Sequence, residues 1–387
     1  MKFFHLSDLH FGKQLHGYDL TEEQRKVIRD IVEAAEAERP DAIVIAGDIY
    51  DRSVPSGSAM TLLEELFLGI DGLGIELLVI AGNHDSAPRL RYGSKFLQRH
   101  HIHIAVFPPM EENERMQKVT LADGYGAVNF YLLPYTNAGM LRGLAGEERL
   151  GSADDAVRFL LDREGIDWSG RNVLVSHQFY LHNGKEPQQC DSEAPRLYVG
   201  GLDAVNTTTV ERFDYAALGH IHSPQNLGCG HIRYCGTPYP YSVSEAGQEK
   251  SISVVEMGAK GEVSVRCIPL EPYRRLRCLR GTLGEVASMA GEAGSGSDYV
   301  SITLTDEEPL DAPKDYLERY FGHILEVRID NLRSRRMFAE EIQDMQEMTP
   351  CEAFEAFFAN TAGREMDDRE KAVLLDILEE LSDGRKE

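Results

Sequence analysis

Five short apolar runs, each stopping at a cluster of Asp, Asn or His, restrict this chain more than any other feature. "KFFHLS" gives way to Asp8 and His10, "DAIVIAG" to Asp48, and "ELLVIAG" to Asn83, His84 and Asp85. "NVLVS" ends at His177 and "YAALG" at His220 and His222. Unbroken apolar runs of this length read as buried parallel strands, because a half-exposed strand would alternate with polar residues. Helical patterns lie between them. A capping box is predicted at Thr21 and Gln24, with Val27, Ile28, Ile31, Val32 and Ala35 on one apolar face and a stop at Glu38 to Pro40. A second helix is predicted from about Ser58 to Ile70. Strand, helix, strand, helix predicts an α/β fold built on βαβ units, in which ligands collect beyond the carboxyl ends of the strands. Five strand ends that carry polar side chains to that edge point to one shared site.

The residue types say what the site could hold. Carboxylate, amide oxygen and imidazole suit hard-to-borderline divalent ions such as manganese or iron better than thiophilic ones. Gly82 is expected to turn the chain sharply off its strand, so that Asn83 and His84 point above the sheet. Asp8 and His10, like His220 and His222, are two apart and are expected to project to one side of an extended segment. Asp48 is expected to bridge two ions. Two divalent cations against Asp8 and Asp48 leave a net of about +2, an attraction for a phosphodiester. The chain as a whole carries −24, which excludes holding nucleic acid by bulk electrostatics and makes such a local charge necessary.

Taken in order, D-x-H (Asp8 to His10), G-D (Gly47, Asp48), G-N-H-D (Gly82 to Asp85), S-H (Ser176, His177) and G-H-x-H (Gly219 to His222) resemble the calcineurin-like metallophosphoesterase superfamily. The longer stretches "SDLHFGKQLHG", "GDIYDRSVPS", "VGGLDAV", "FDYAALGHIHSPQ" and "GTPYPYSVSEAGQEKS" are similar to the SbcD-type nuclease subunits within it. The last has no metal-binding reason to exist. Ala81 stands where protein phosphatases usually place a phosphate-gripping Arg, whereas Asp51–Arg52 is a pair that related phosphatases also carry.

The resemblance implies a four-layer α/β/β/α sandwich over residues 1–270, a small α+β capping domain over 271–333 and a helical ATPase-partner-binding segment over 334–387. It implies metal ligation by Asp8, His10, Asp48, Asn83, His177, His220 and His222, with two divalent ions, Mn2+ first among them. His84 would stand beside the substrate phosphate, donating a proton to the leaving sugar oxygen or stabilising the transition state during in-line attack on phosphorus. The activity implied is 3′-to-5′ exonuclease action on duplex DNA and endonuclease action on single strands or hairpins, in repair and recombination. The partners implied are DNA, an SbcC-type SMC-like ATPase and a second nuclease subunit within a heterotetramer. The chain has no G-x-x-x-x-G-K-[ST], so any ATP-driven step belongs to the partner. "MTLLEELFLGI" and the segment after Pro88 are the candidate dimer surfaces. The alternative on the same centre is a phosphodiesterase or phosphatase for a small phosphate ester.

Other features carry plainer expectations. A lone histidine is ordinarily a surface or packed residue, and that is expected of His16, His100, His101, His103, His182, His231 and His323, and of His5 inside the first strand. Asp51 and Asp85 are expected in turn-forming or supporting roles. Six scattered cysteines without a C-x-x-C pair, no signal-like start and no run of roughly twenty apolar residues point to a cytoplasmic, non-membrane protein. Basic runs "YRRLRCLR" and "RSRR", with Arg89, Arg91 and Lys95, are candidate DNA contacts or simply solvated faces. A strand–helix–strand unit is predicted from "DYVSITLT" through Asp311-Ala-Pro to "ILEVRID", after a Gly/Ser-rich loop at Gly291 to Ser297. In the tail, Thr349 and Glu352 form a capping box with Pro350 at the first helical position. Phe354, Phe357 and Phe358 share a face, and Val373, Leu374, Ile377, Leu378 and Leu381 recur at helical spacing. That apolar surface is expected either to pack on the catalytic domain or to dock on a partner.

Overall fold

A computed structural model describes residues 1–146, 150–193, 203–291, 296–333, 335 and 349–383. Residues 199–202 of "VGGLDAV", 292–295 of the Gly/Ser-rich loop, Ser334 and Arg336 of "RSRR" and the Leu381 side chain lie outside that description. Two compact units are present. The larger comprises Met1–Cys278, Gly294–Ser301 and Phe321–Glu326; the smaller comprises Leu279–Ala293, Ile302–Tyr320 and Val327–Glu387.

Two six-stranded sheets form the larger unit. The first runs in the order Val263–Pro269, Ser251–Met257, Lys2–Leu6, Ala42–Ala46, Glu76–Ile80, Ile102–Ala105, with the last four strands parallel. The second runs Gln225–Asn226, Ile232–Tyr234, Tyr215–Gly219, Arg171–His177, Gly126–Leu133, Gln117–Asp123. Side chains of the parallel strands still alternate between two buried faces, as the two-residue period of a strand demands. Phe4, Leu6, Ile43, Ile45, Leu77 and Val79 pack under the helices Thr21–Glu38 and Gly57–Asp71. Their neighbours Phe3, Ala42, Val44, Leu78 and Ile80 face Val128, Phe130, Val173, Val175, Tyr215 and Ala217 of the second sheet. On the far side of that sheet, Leu174, Ala216 and Leu218 pack with Ala156, Val157 and Leu160 of the helix Ala153–Arg163. The result is the α/β/β/α sandwich expected from the sequence. Phe3 meets Phe130 and Tyr215 edge-on at 5.3 and 5.7 Å between the sheets, and each such buried aromatic contributes about 1.5–3 kcal/mol. His5 is packed in the same layer, its ring nitrogens 3.0 Å from the Tyr215 hydroxyl and 3.2 Å from the Leu218 carbonyl.

Register brings the functional ends together. Leu6 pairs with Ile45, Ala46 with Ile80, and Gly219 with His177, so each sheet delivers its motif residues at one level. The capping box predicted at Thr21 and Gln24 is not formed. Leu20 occupies the N-cap without a side-chain bond, and Asp19 takes the Thr21 N–H at 2.8 Å. Gln24 is drawn inward instead, donating to the His10 carbonyl at 2.7 Å and accepting the Gly12 N–H at 3.0 Å. Buried backbone groups in the loop after the first strand need those partners more than an exposed helix end does.

A three-stranded sheet in the order Leu276–Gly281, Tyr299–Leu304, His323–Ile329 contains the two strands expected after residue 297. Its first strand holds most of the basic run "YRRLRCLR", whose charges are internally matched: Arg277 pairs with Asp298 at 2.6 Å, Arg280 with Asp330 at 2.5 Å, and Arg274 with Glu23. In the tail, the helix Pro350–Ala362 carries the expected Thr349/Glu352 capping box and ends at Gly363 with φ 66°, a conformation that glycine adopts without strain. Packing within the second tail helix, Asp368–Asp383, is uneven: Leu374 is buried while Val373, Leu375 and Ile377 are exposed. The phenylalanines divide likewise, with Phe354 and Phe357 exposed and Phe358 half-buried under the Arg364 guanidinium. Among the described residues, no helix is long and apolar enough to cross a membrane.

Candidate metal centre

All the motif residues meet above one edge of the larger unit. Ligand-type atoms of Asp8, His10 and His222 lie within 4.8 Å of one another, as do those of Asp48, His177 and His220. Asn83 joins the second group, its Oδ1 lying 3.1 Å from His177 Nε2 and 2.9 Å from His220 Nδ1. Asp48 stands between the groups, with Oδ2 3.3 Å from His177 Nε2 and 3.7 Å from His10 Nε2.

The local backbone departs from the extended segments that the two-residue spacings suggested. Asp8, His10, Asp48 and His220 have φ of 52°, 44°, 50° and 101°, left-handed values that cost of order 1–3 kcal/mol each and are tolerated where surrounding contacts over-determine them. His220 and His222 accordingly go to different groups instead of sharing one side. The turning role assigned to Gly82 is also revised. A Cβ there would collide with the Asp48 carboxylate and amide nitrogen, so glycine is required by close approach of the neighbouring strand end. Asp85 takes the turn role, its carboxylate accepting N–H groups from Gly82 at 2.9 Å, Tyr50 at 3.0 Å and Ile49 at 3.1 Å.

Charge is concentrated in a dry setting. Burial, partly offset by the charge of His177, pushes the Asp8 carboxyl up to about 7. Burial would do the same to Asp48, but His177, His10 and His84 outweigh it and hold that carboxyl well below the usual range. His177 is desolvated too, yet Asp48 beside it raises its pKa to about 9. Burial lowers His10 and His222. Nitrogen faces nitrogen across both groups, His10 Nε2 to His222 Nε2 at 3.2 Å and His177 Nε2 to His220 Nδ1 at 3.3 Å. Four ring nitrogens packed this closely beside buried carboxylates suit a cation, and an N/O donor set without thiolate fits a hard-to-borderline divalent ion. The residues present therefore fit a dinuclear metal centre.

His84 sits at the edge of this cluster, its ring centroid 5.0 Å from that of His10. Its Nδ1 lies 2.9 Å from the Asp51 carbonyl and its backbone N–H donates to Asp48 Oδ1 at 2.9 Å. Asp51 also binds Lys13 at 2.8 Å and lies 3.6 Å from His10 Nδ1. Two of the remaining histidines have plain partners: His101 and His103 both meet Glu76, at 2.7 and 2.9 Å. Arg89, Arg91 and Lys95 are exposed on short helices after Pro88. Sequence reading missed Ser7, Ser192, Glu193, Glu245 and Lys250, which bond Asp8 or His222 or their partners. The only signal for Glu245 and Lys250 was that "GTPYPYSVSEAGQEKS" had no reason in metal binding alone.

Residues 1–224 match the family model described as calcineurin-like phosphoesterase. The chain is 30% identical over 329 residues to the SbcD subunit of the SbcCD nuclease of Staphylococcus epidermidis, covering 84% of each chain. This protein belongs to the SbcD family of calcineurin-like phosphoesterases. A second SbcD relative, from Staphylococcus saprophyticus subsp. saprophyticus, is 29% identical over 372 residues, 95% of this chain and 94% of that one. Residues 272–362 of this SbcD-family chain match a model described as type 5 capsule protein repressor C-terminal domain. A solved structure, TT1561 of Thermus thermophilus, aligns with 12% identity over 69% of this chain and 98% of its own at a TM-score of 0.40, a likeness that carries no argument. As an SbcD-family phosphoesterase, the chain is a phosphodiester hydrolase of a class that works with divalent metal ions.

Proposed function

We propose that this chain is a Mn2+-dependent DNA nuclease subunit, acting 3′ to 5′ on duplex ends and endonucleolytically on single strands or hairpins, in the cytoplasm with an SbcC-type ATPase. The observation that carries the reading is the pair of buried His/carboxylate groups sharing Asp48. Asp8, His10 and His222 would hold one ion, Asn83, His177 and His220 the other, and Asp48 both. Bound there, two divalent ions supply positive charge that draws a phosphodiester to a chain of net −24 and stabilises the charge developing on its oxygens.

The chain's own residues supply orientation and proton handling. Because a carbonyl oxygen can only accept, His84 Nδ1 carries the hydrogen toward Asp51, which leaves Nε2 to meet the substrate. To protonate the leaving sugar oxygen or stabilise the charged transition state, Nε2 must carry a second proton, so the ring would act there as the imidazolium and give up the Nε2 proton. Residues 1–270 would carry this chemistry, 271–333 would cap access to it, and 334–387 would present Phe354, Phe357, Val373 and Ile377 to the ATPase. Exposed Met60, Leu68, Tyr92 and Phe96 would pair two nuclease subunits within the heterotetramer.

The test compares cleavage of a DNA hairpin and a linear duplex with that of a small aryl phosphodiester, with and without Mn2+, for wild type, His84→Ala and Asp48→Ala. DNA cutting that needs the metal and is lost in both variants supports the nuclease. Diester turnover with DNA left intact, even after the ATPase is added, would replace it with a small-molecule phosphodiesterase.

A further inference from the structure

The stretch Gly236 to Ser251 contributes none of the seven proposed ligands, yet it lies directly behind one of them. Glu245 is fully buried, and its carboxylate accepts from every side. Oε1 takes the Ser192 hydroxyl at 2.5 Å, the Ser242 hydroxyl at 2.9 Å and the Tyr241 N–H at 3.2 Å. Oε2 takes the Lys250 ammonium at 2.6 Å and the Thr237 hydroxyl at 2.9 Å. Lys250, 5% exposed, also donates to Thr237 Oγ1 at 2.8 Å, Gln248 Oε1 at 3.0 Å and the backbone carbonyl of His222 at 3.2 Å. A group that only accepts, with five donors converging on it and a buried cation against it, is a carboxylate.

That fixes the direction of the next bond. Ser192 has one hydroxyl proton, and it is given to Glu245. Toward His222 Nδ1, 2.6 Å away, Ser192 can therefore only accept. The hydrogen of the neutral His222 ring must then sit on Nδ1, and the lone pair on Nε2. Nε2 is the atom that looks into the group with Asp8 and His10, 3.2 Å from His10 Nε2. The backbone of His222 is gripped as well, its N–H by Glu193 Oε1 at 2.8 Å and its carbonyl by Lys250. His177, in the other group, needs no such relay. Its Nδ1 donates to the Ala46 backbone carbonyl at 2.7 Å, an acceptor that cannot reverse.

We infer that Ser192, Glu245 and Lys250 are positioning residues that hold His222 in the Nδ1–H tautomer, with Nε2 presented to one of the two metal positions. A buried Lys–Glu pair is a poor source of stability, because desolvation offsets most of its attraction, so a role in orientation accounts for it better. The inference rests on the reading of His222 as a ligand. It separates the two positions: loss of the relay should weaken the ion held by Asp8, His10 and His222 and spare the one held by Asn83, His177 and His220.

The test uses the full chain stripped of metal, titrated calorimetrically with Mn2+, as wild type, Ser192→Ala and Ser192→Thr. Ring nitrogen NMR of the metal-free chain reads the His222 tautomer directly. Wild type should take two Mn2+ and show His222 as Nδ1–H. Ser192→Ala should weaken one equivalent about 10–100-fold, leave the other unchanged, and melt within about 2 °C of wild type when metal-free. Ser192→Thr, which keeps the hydroxyl, should restore both equivalents. Two unaltered equivalents in Ser192→Ala would overturn the inference while leaving the dinuclear centre standing. An equal loss at both equivalents, or a large fall in metal-free melting temperature, would assign a structural role instead and overturn it too. The wild-type spectrum alone would overturn it if His222 is found as Nε2–H, whatever the variants do. Fewer than two Mn2+ in wild type would overturn the dinuclear reading and this inference with it.

Discussion

His84 Nδ1 lies 2.9 Å from the backbone carbonyl oxygen of Asp51, so a side chain at the rim of the candidate metal centre is oriented by a main-chain acceptor. The side chain is held without being needed as a proposed ligand. His84→Ala should therefore keep two Mn2+ while DNA cleavage falls about 10²–10⁴-fold, the usual span for losing a positioned proton donor. Metal analysis run beside a hairpin-cleavage assay checks it. Near-wild-type cleavage, or loss of metal along with activity, would contradict the assignment.

Asp48 differs in kind, because its Oδ2 reaches both groups and its Oδ1 also accepts the His84 N–H. Substituting one residue should therefore damage three functions together. Asp48→Asn is expected to weaken both Mn2+ equivalents by more than the roughly 10–100-fold typical of supporting residues. Cleavage of DNA and of an aryl diester should fall in parallel. If one Mn2+ still binds with wild-type affinity, Asp48 is not shared.

The strands and the membership of the site were legible because both are written locally. A largely apolar stretch of five residues followed shortly by Asp, Asn or His is visible at Lys2–Leu6, Ala42–Ala46 and Glu76–Ile80 without reference to the rest of the chain. What misled was what depends on distant neighbours. Thr21 and Gln24 have capping-box spacing, but carbonyls in the loop at His10 compete for Gln24 and win. Gly82 looked like a turn residue because the approach of Asp48, from another strand, is invisible in sequence. The left-handed turns at Asp8, His10 and His220 are likewise set by contacts across the site, and Ser192 supports His222 from thirty positions upstream.

Close approach at the site also makes a stability prediction. A Cβ on Gly219 would collide with the Ala46 carbonyl oxygen, His177 Nδ1 and Ser7, where the ends of the two sheets meet. Backbone cannot step aside as a flexible side chain can. Gly219→Ala should cost about 1–3 kcal/mol or more, read as a lower urea midpoint of the metal-free chain. Unchanged stability would mean that the sheets can separate here at no cost.

Metal-free stability should depend on pH through Asp8 and His177. Burial raises Asp8 from 3.8 to about 7, so between those values the native chain keeps a proton that the unfolded chain has released. Stability therefore falls as pH rises through that window. His177, raised from 6.5 to about 9, acts with the same sign: its contribution is complete below about 6.5 and lost as pH climbs through about 9. Urea midpoints of the metal-free chain should decline from pH 7 to pH 9; below about 6.5 the buried His5, His10 and His222, which burial lowers, act with the opposite sign. Asp8→Asn should flatten the lower part of that decline, and saturating Mn2+, which takes the place of both protons, should flatten all of it. A midpoint that rises over the same range would contradict the sign.

The tail offers a surface whose loss should leave chemistry untouched. Phe357 is 63% exposed on the helix Pro350–Ala362 and Ile377 49% exposed on Asp368–Asp383, so neither side chain is needed to hold its own helix. Exposed substitutions of this kind usually change stability by no more than about 0.5 kcal/mol. Apolar side chains at an interface, by contrast, carry much of its affinity, and a charge placed there must be desolvated on binding. The double variant Phe357→Glu, Ile377→Glu is therefore expected to lose co-purification with the ATPase while hydrolysing an aryl diester within about twofold of wild type. Retained co-purification would move the partner surface away from the tail, and lost diester hydrolysis would tie the tail to the catalytic fold instead.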